Sequence, residues 1–101
     1  MERLSASEVR QALGSVEGWV RRAARIERDF VFPDFPAAMR FVQRVGRASE
    51  QACHHPDIDI RWNHVRLSLT THDAGGLTER DFVLAARFNA LASNGRSRSA
   101  R

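Results

Sequence analysis

The chain has 101 residues, 43% apolar and 28% charged, with six glycines, three prolines and a single cysteine; this balance fits one small domain and excludes collagen-like, disordered and multidomain classes. The net charge of +4 comes from arginine alone, 16 against 12 acids, and Arg96, Arg98 and Arg101 hold three of them, so the rest is near neutrality without the basic stripe that nucleic acid requires. Cys53 has no cysteine partner, no run of about 18 apolar residues could cross a membrane, and the charged start MERLSASEVR does not read as a secretory leader; a reduced, cytoplasmic setting is expected.

Ser5 and Glu8 have capping-box spacing, so a first helix of about two turns should run through Val9 and Leu13 to a stop at Gly14. From Gly18 to Phe32 a loose alternation, with Trp19, Ile26, Phe30 and Phe32 inward, predicts two strands joined near Arg22 to Arg25. Asp34 caps the next helix with Pro36 in its first turn. Ala38, Phe41, Val42, Val45, Ala48 and Ala52 recur at spacings of three and four, giving an amphipathic helix of about eighteen residues. Pro56 ends it near His54. Ile58, Ile60 and Trp62, then Val65, Leu67 and Leu69, alternate with polar residues about Asn63-His64, which predicts a hairpin. After Gly75-Gly76, the Thr78 to Asp81 spacing opens a third helix through Phe82, Val83, Ala86 and Phe88 to Leu91. The expected architecture is antiparallel α+β, α-β-β-α-β-β-α, with the helices on one face of a four-stranded sheet. One domain is expected over residues 1–93, and a disordered Arg/Ser-rich tail over 94–101.

His54 and His55 fall at the end of the second helix, His64 in the hairpin turn and His72 just past the fourth strand. Taking Asn63-His64 as a two-residue turn sets Trp62 against Val65 and brings His72 opposite position 55. Glu50, one turn before His54, lies off the apolar stripe, and the parity of His72 with Arg66, Ser68 and Thr70 aims it off the core face. One carboxylate and up to three imidazoles then converge outside the core. With an unperturbed pKa of about 6.5, paired imidazoles can hold one protonated and one neutral member, a general acid facing a general base. A carboxylate such as Glu50 would fix the tautomer of the histidine beside it. Other readings stay open. The His-His-Pro corner could serve helix termination alone, its imidazoles meeting terminal carbonyls. Glu50, His54, His55 and His72 could hold a metal, although no metal-ligand spacing is present. Cys53 could be a nucleophile or a small packing residue, and Asp81 only a helix N-terminal carboxylate. No serine or threonine has the partners that acyl transfer needs, so acid/base chemistry is preferred.

The run Glu50-x-x-x-His54-His55-Pro56, then Trp62, His72 and Asp81 at intervals of five, nine and eight residues, resembles the signature of the pterin-4a-carbinolamine dehydratase family. The resemblance extends to Leu4-Ser5-Ala6, Gly18-Trp19, the Phe30 to Phe35 segment and Gly76 to Asp81. It implies three helices on a four-stranded antiparallel sheet, assembled as a homodimer or homotetramer. It also implies a lyase that dehydrates 4a-hydroxytetrahydropterin to quinonoid dihydropterin during recycling of a tetrahydrobiopterin-type cofactor, with no metal or organic cofactor of its own. By position, His54, His55 and His72 become the catalytic and binding histidines and Glu50 the supporting carboxylate. His54 and His72 then do acid/base work, in exchangeable roles, while His55 holds the pterin. Pro56, the Thr71, His72, Asp73 and Ala74 segment and Asp81 join the substrate site. The chain departs from better-known members at Ile58 and at Asn63-His64, which leaves the preferred pterin side chain open. The alternative on this scaffold is a non-catalytic assembly or dimerisation factor. No nucleic-acid or membrane partner is expected.

Overall fold

Each helix begins where a short polar side chain can satisfy its first free amides. In the computed structural model, which describes residues 2–94, Ser5 and Glu8 form the reciprocal capping box of α1 (Ala6–Leu13). Asp34 accepts from the Ala37 amide at 2.9 Å to open α2 (Phe35–Ala52). The carboxylate of Asp81 turns back to the Thr78 amide at 2.9 Å at the start of α3 (Glu79–Asn94). Four strands lie between them: β1 (Val20–Arg22), β2 (Arg25–Val31), β3 (Asp57–Arg61) and β4 (His64–Leu69). The expected α-β-β-α-β-β-α order is what the chain adopts. All pairings are antiparallel, in the order β1-β2-β4-β3.

Strand parity divides the sheet. Ile26, Phe30, Val65, Leu67 and Leu69 are buried, and with Ala38, Phe41, Val45, Ala48, Ala85 and Phe88 of the helices they form one core. Phe41 stands 4.8 Å from Phe30 and 5.0 Å from Phe32 between ring centroids, and Trp19 touches Phe30 and Phe88. Arg28 enters from the same sheet face. Its guanidinium lies 4.5 Å from the Phe30 ring centroid and donates to Asn89 Oδ1 and the Glu17 carbonyl; burial lowers its pKa. The opposite face is charged. There Arg66 grips Asp29 with two N–H donors at 2.7 and 3.2 Å, and this hydrogen bonding holds the Asp29 carboxyl below its ordinary range.

Several expectations need correction. Arg61 pairs with His64, so the two-residue loop is Trp62-Asn63, and Ile60 rather than Trp62 faces Val65. Tertiary bonding explains the shift: Asn63 is buried, its side-chain amide donates to the Phe32 carbonyl at 2.8 Å, and its own carbonyl accepts from the Phe32 amide at 2.9 Å. Trp62 takes the first loop position with φ of 54° and is 68% exposed. β3 is an edge strand, which leaves Ile58 exposed as well. Ala52, Val83 and Ala86 are exposed, and α3 instead buries Phe82, Leu84, Ala85, Phe88 and Ala92. Helix α3 runs on to Asn94, the first residue of the anticipated tail, and the rest of that tail lies outside the described residues.

Helix α2 ends on Cys53 in the left-handed region, at φ of 51°, where a side chain is strained and glycine is at ease. Cys53→Gly is expected to raise stability by up to about 1 kcal/mol, read as a higher urea midpoint. A lower midpoint would mean that the Cys53 side chain contributes more than the strain costs.

Candidate active site

The left-handed turn at Cys53 separates the two adjacent histidines. Beyond it the chain extends toward β3, and successive side chains of extended backbone point to opposite sides. His54 turns inward, 9% exposed, and His55 outward. The corner is gripped by the first turn of α3. An Arg80 Nη donates to the Cys53 carbonyl at 2.8 Å, and Asp81 Oδ1 meets His54 Nε2 at 2.6 Å.

Asp81 is fully buried, and its surroundings can be assigned proton by proton. Its Oδ2 accepts from the Thr71 hydroxyl at 2.8 Å and from the Thr78 amide at 2.9 Å. Because the single Thr71 hydroxyl proton is used there, the 2.8 Å contact between Thr71 and Thr78 runs from the Thr78 hydroxyl to Thr71 Oγ1. Thr78 Oγ1 in turn accepts from the Arg80 amide at 3.3 Å. With Oδ2 occupied by two donors, Oδ1 is the acceptor for His54 Nε2–H. While Asp81 is ionised, this bond sets the Nε2–H tautomer, which in the neutral ring leaves the lone pair on Nδ1.

Thr71 couples this cluster to the third imidazole. It is buried, forms a bridge with Gly76 and directly precedes His72, which begins a short 3-10 turn (His72–Ala74) closed by Gly75 at φ of 73°. His72, Asp73 and Gly75 are exposed. Two chain segments 27 residues apart, ending in His54 and Asp81, thus share one buried carboxylate with the residue beside His72. The expected route through hairpin register does not operate, because β4 ends at Leu69 and neither residue 55 nor His72 is paired in the ladder.

The carboxylate assignment also changes. Glu50 reaches past His54, and its Oε2 lies 2.5 Å from His55 Nε2, an exposed pair with side chains 78% and 59% accessible. The partner of His54 is Asp81, whose helix-capping role and histidine contact coexist, one oxygen serving each. Cys53 is exposed, and its thiol donates to the Glu50 carbonyl at 3.7 Å. Among the described residues no group of three His, Cys, Asp or Glu side chains is arranged to hold a metal ion. Pro56 is half-buried beside His55, and Ala74 is half-buried on the turn. His64 lies elsewhere, in a 470 Å³ depression on the charged sheet face with Asp29, Asp59, Arg61 and Arg66. His54 also borders a 190 Å³ pocket with Ala52, Arg80, Val83 and Arg87.

Two residues here were not singled out from sequence. Thr78 was visible only as a cap, and nothing in the sequence marks Arg80 as the donor to Cys53, since that bond joins α3 to the end of α2.

The family profile described as Pterin 4 alpha carbinolamine dehydratase matches residues 2–91. A protein of Acidobacterium capsulatum is 55% identical over 91 residues, 90% of this chain and 99% of the relative. One from a Roseiflexus species is 52% identical over 89 residues, 88% of this chain and 96% of its own. Both names assign pterin-4-alpha-carbinolamine dehydratase provisionally. Among solved structures, the transcriptional coactivator/pterin dehydratase of Brucella melitensis superposes with a TM-score of 0.87 at 35% identity, covering 90% of this chain and 99% of that one. A pterin dehydratase-like RuBisCO assembly factor of the alpha-carboxysome shares the fold, with a TM-score of 0.61 at 24% identity over 73% of this chain and 86% of its own. No described helix is long and apolar enough to cross a membrane.

Proposed function

The chain belongs to the pterin-4a-carbinolamine dehydratase family, and on that premise we propose that it dehydrates a 4a-hydroxytetrahydropterin to the quinonoid dihydropterin by histidine general acid/base catalysis. The observation that carries the reading is the fully buried Asp81 carboxylate, which holds His54 by one oxygen and the residue preceding His72 by the other. A buried carboxylate is costly unless it is paired, and here its partners are a fixed imidazole and the anchor of a second one.

The reaction needs one proton delivered and one removed. The C4a–O bond breaks as a proton reaches the hydroxyl oxygen, which leaves as water; N5 gives up its proton as the C4a–N5 double bond forms. His54, holding Nε2–H toward Asp81, offers Nδ1 as the base for N5–H. His72, exposed and without a side-chain partner among the described residues, delivers the proton to oxygen. The imidazolium formed on one ring and the neutral imidazole left on the other re-equilibrate through water, so the cycle closes without metal or organic cofactor. His55, steadied by Glu50, with Pro56 and the Thr71 to Ala74 segment, borders the pterin. Recycling of a tetrahydrobiopterin-type cofactor is the setting that such a product implies. A cytoplasmic location suits the free thiol of Cys53, and a homodimer or homotetramer is the proposed assembly.

The test is stopped-flow spectroscopy on chemically generated carbinolamine, in which the protein is expected to accelerate loss of the hydroxyl over buffer. No acceleration would favour the assembly-factor alternative, a role that the name of the more distant structural relative describes for that protein. Within this reading the two carboxylates are unequal. Because the Glu50–His55 pair is exposed, Glu50→Gln is expected to lower kcat/KM less than roughly tenfold, seen mainly in KM. A loss of a hundredfold or more in kcat would return Glu50 to the supporting role read from the sequence.

A further inference from the structure

A pocket of 320 Å³ opens beside the loop that carries His72, at the small end of the range of about 300–1,000 Å³ typical of ligand pockets. Three pieces of chain build it: Arg3 from the N-terminal arm, Arg21, Ala23 and Ala24 from the β1–β2 hairpin, and Gly75 and Gly76 from the loop after His72. All three are tied to that loop. The Leu4 amide donates to the Leu77 carbonyl at 2.8 Å, and the Gly75 amide donates to the His72 carbonyl at 3.0 Å. The Thr70 hydroxyl donates to the Ala24 carbonyl at 2.6 Å. The stem of Arg3 lies across Gly76 so closely that a Cβ there would stand 2.6 Å from Arg3 Cδ. Glycine at 76 is therefore what lets the arginine cross the loop.

Both guanidiniums are aimed by single carbonyls. Arg3 Nη1 donates to Gly75 at 3.4 Å and Arg21 Nε to Ala23 at 2.8 Å. Four other arginines of the sheet find acids: Arg22 with Glu27, Arg25 with Asp57, Arg61 with Asp59 and Arg66 with Asp29. Arg3 and Arg21 have no such partner among the described residues, and no carboxylate lines their pocket. Two planar cations with unspent N–H donors and no counter-charge form the donor set that recognises a tetrahedral oxyanion.

We infer that Arg3 and Arg21 form a binding site for a phosphate-type oxyanion, and, resting on the dehydratase reading, that the anion it serves is a phosphate ester on the side chain of the pterin substrate. The pocket and His72 are then two ends of one substrate site joined by the 72–76 loop.

Inorganic phosphate titrated into the full chain at constant ionic strength tests the site, followed by the amide resonances of Ala24, Gly75 and Gly76. Saturable shifts are expected in the wild type and in Arg10→Ala, which removes an exposed charge of α1 outside the pocket. In the double variant Arg3→Ala/Arg21→Ala binding should weaken at least roughly tenfold. Absence of saturation in the wild type, or unchanged affinity in the double variant, overturns the site. The second arm compares carbinolamines with and without a phosphomonoester on the side chain. The phosphorylated one should show the higher kcat/KM through a lower KM, an advantage that the double variant should erase and Arg10→Ala should keep. Equal kcat/KM in the wild type, with phosphate still bound, overturns the substrate assignment and restricts the pocket to free phosphate. If neither carbinolamine is turned over while the titration behaves as expected, the dehydratase reading fails and the anion site stands.

Discussion

His72→Ala is expected to lower turnover of the carbinolamine by about 10²- to 10⁴-fold, the usual worth of a positioned acid or base, while the protein stays folded. The side chain is exposed on the short turn after β4 and makes no hydrogen bond among the described residues. Its removal therefore strands no partner and opens no cavity, and stability should stay within about 0.5 kcal/mol of the wild type. The anchor of the turn is Thr71, whose hydroxyl bonds to Asp81 and whose backbone bonds to Gly76, and the substitution touches neither. Single-turnover stopped-flow rates beside a urea titration read both quantities. A variant with an unchanged rate would take His72 out of the mechanism, and with it the two-imidazole scheme.

Asp81→Asn should act on stability and rate together. The wild-type carboxylate accepts three hydrogen bonds, from His54, Thr71 and Thr78. An amide presents one oxygen and one NH₂, so a buried donor faces another donor unless His54 moves its proton to Nδ1, the tautomer in which that nitrogen cannot act as the base. At about 1–3 kcal/mol for each stranded group, the expected loss is about 2–4 kcal/mol, or roughly 10–20 °C in Tm for a domain of this size. The His54 ring would also lose the acceptor that sets its tautomer, so kcat should fall about a hundredfold or more even well below the new Tm. Thr71→Val separates the two effects, because it keeps the carboxylate on His54 and removes only one donor to Oδ2. It should cost stability with a smaller loss of rate. Asp81→Asn with wild-type kcat and a wild-type melting curve would show that the buried carboxylate serves neither purpose.

The features legible in the sequence share a physical character: they depend on neighbours a few residues away. Ser5 with Glu8 and Asp34 with Ala37 are local capping contacts, and the apolar spacing along α2 needs only the pitch of a helix. The inward residues Trp19, Ile26, Phe30 and Phe32 follow from strand alternation. The failures have the opposite character. The hairpin turn moved by one residue because Asn63 bonds to Phe32, 31 positions away. Glu50 and His54 have ideal helical spacing, yet Glu50 meets His55, because the left-handed Cys53 rotates the corner after the helix ends. Val83 looks like a core residue by type and is 64% exposed, since hydrophobicity alone does not say which side of a helix is covered.

Which residue types could do proton chemistry, and that they lie on either side of a hairpin, was determined by the sequence alone, since composition and short-range periodicity suffice for it. Which carboxylate serves which imidazole was decided only in three dimensions. The choice of Asp81 for His54 rests on bonds between the end of α2 and the start of α3 and on the burial of the carboxylate in the core. A hydrogen bond between segments far apart in the chain depends on packing geometry to within a fraction of an ångström, and no spacing along the chain encodes that.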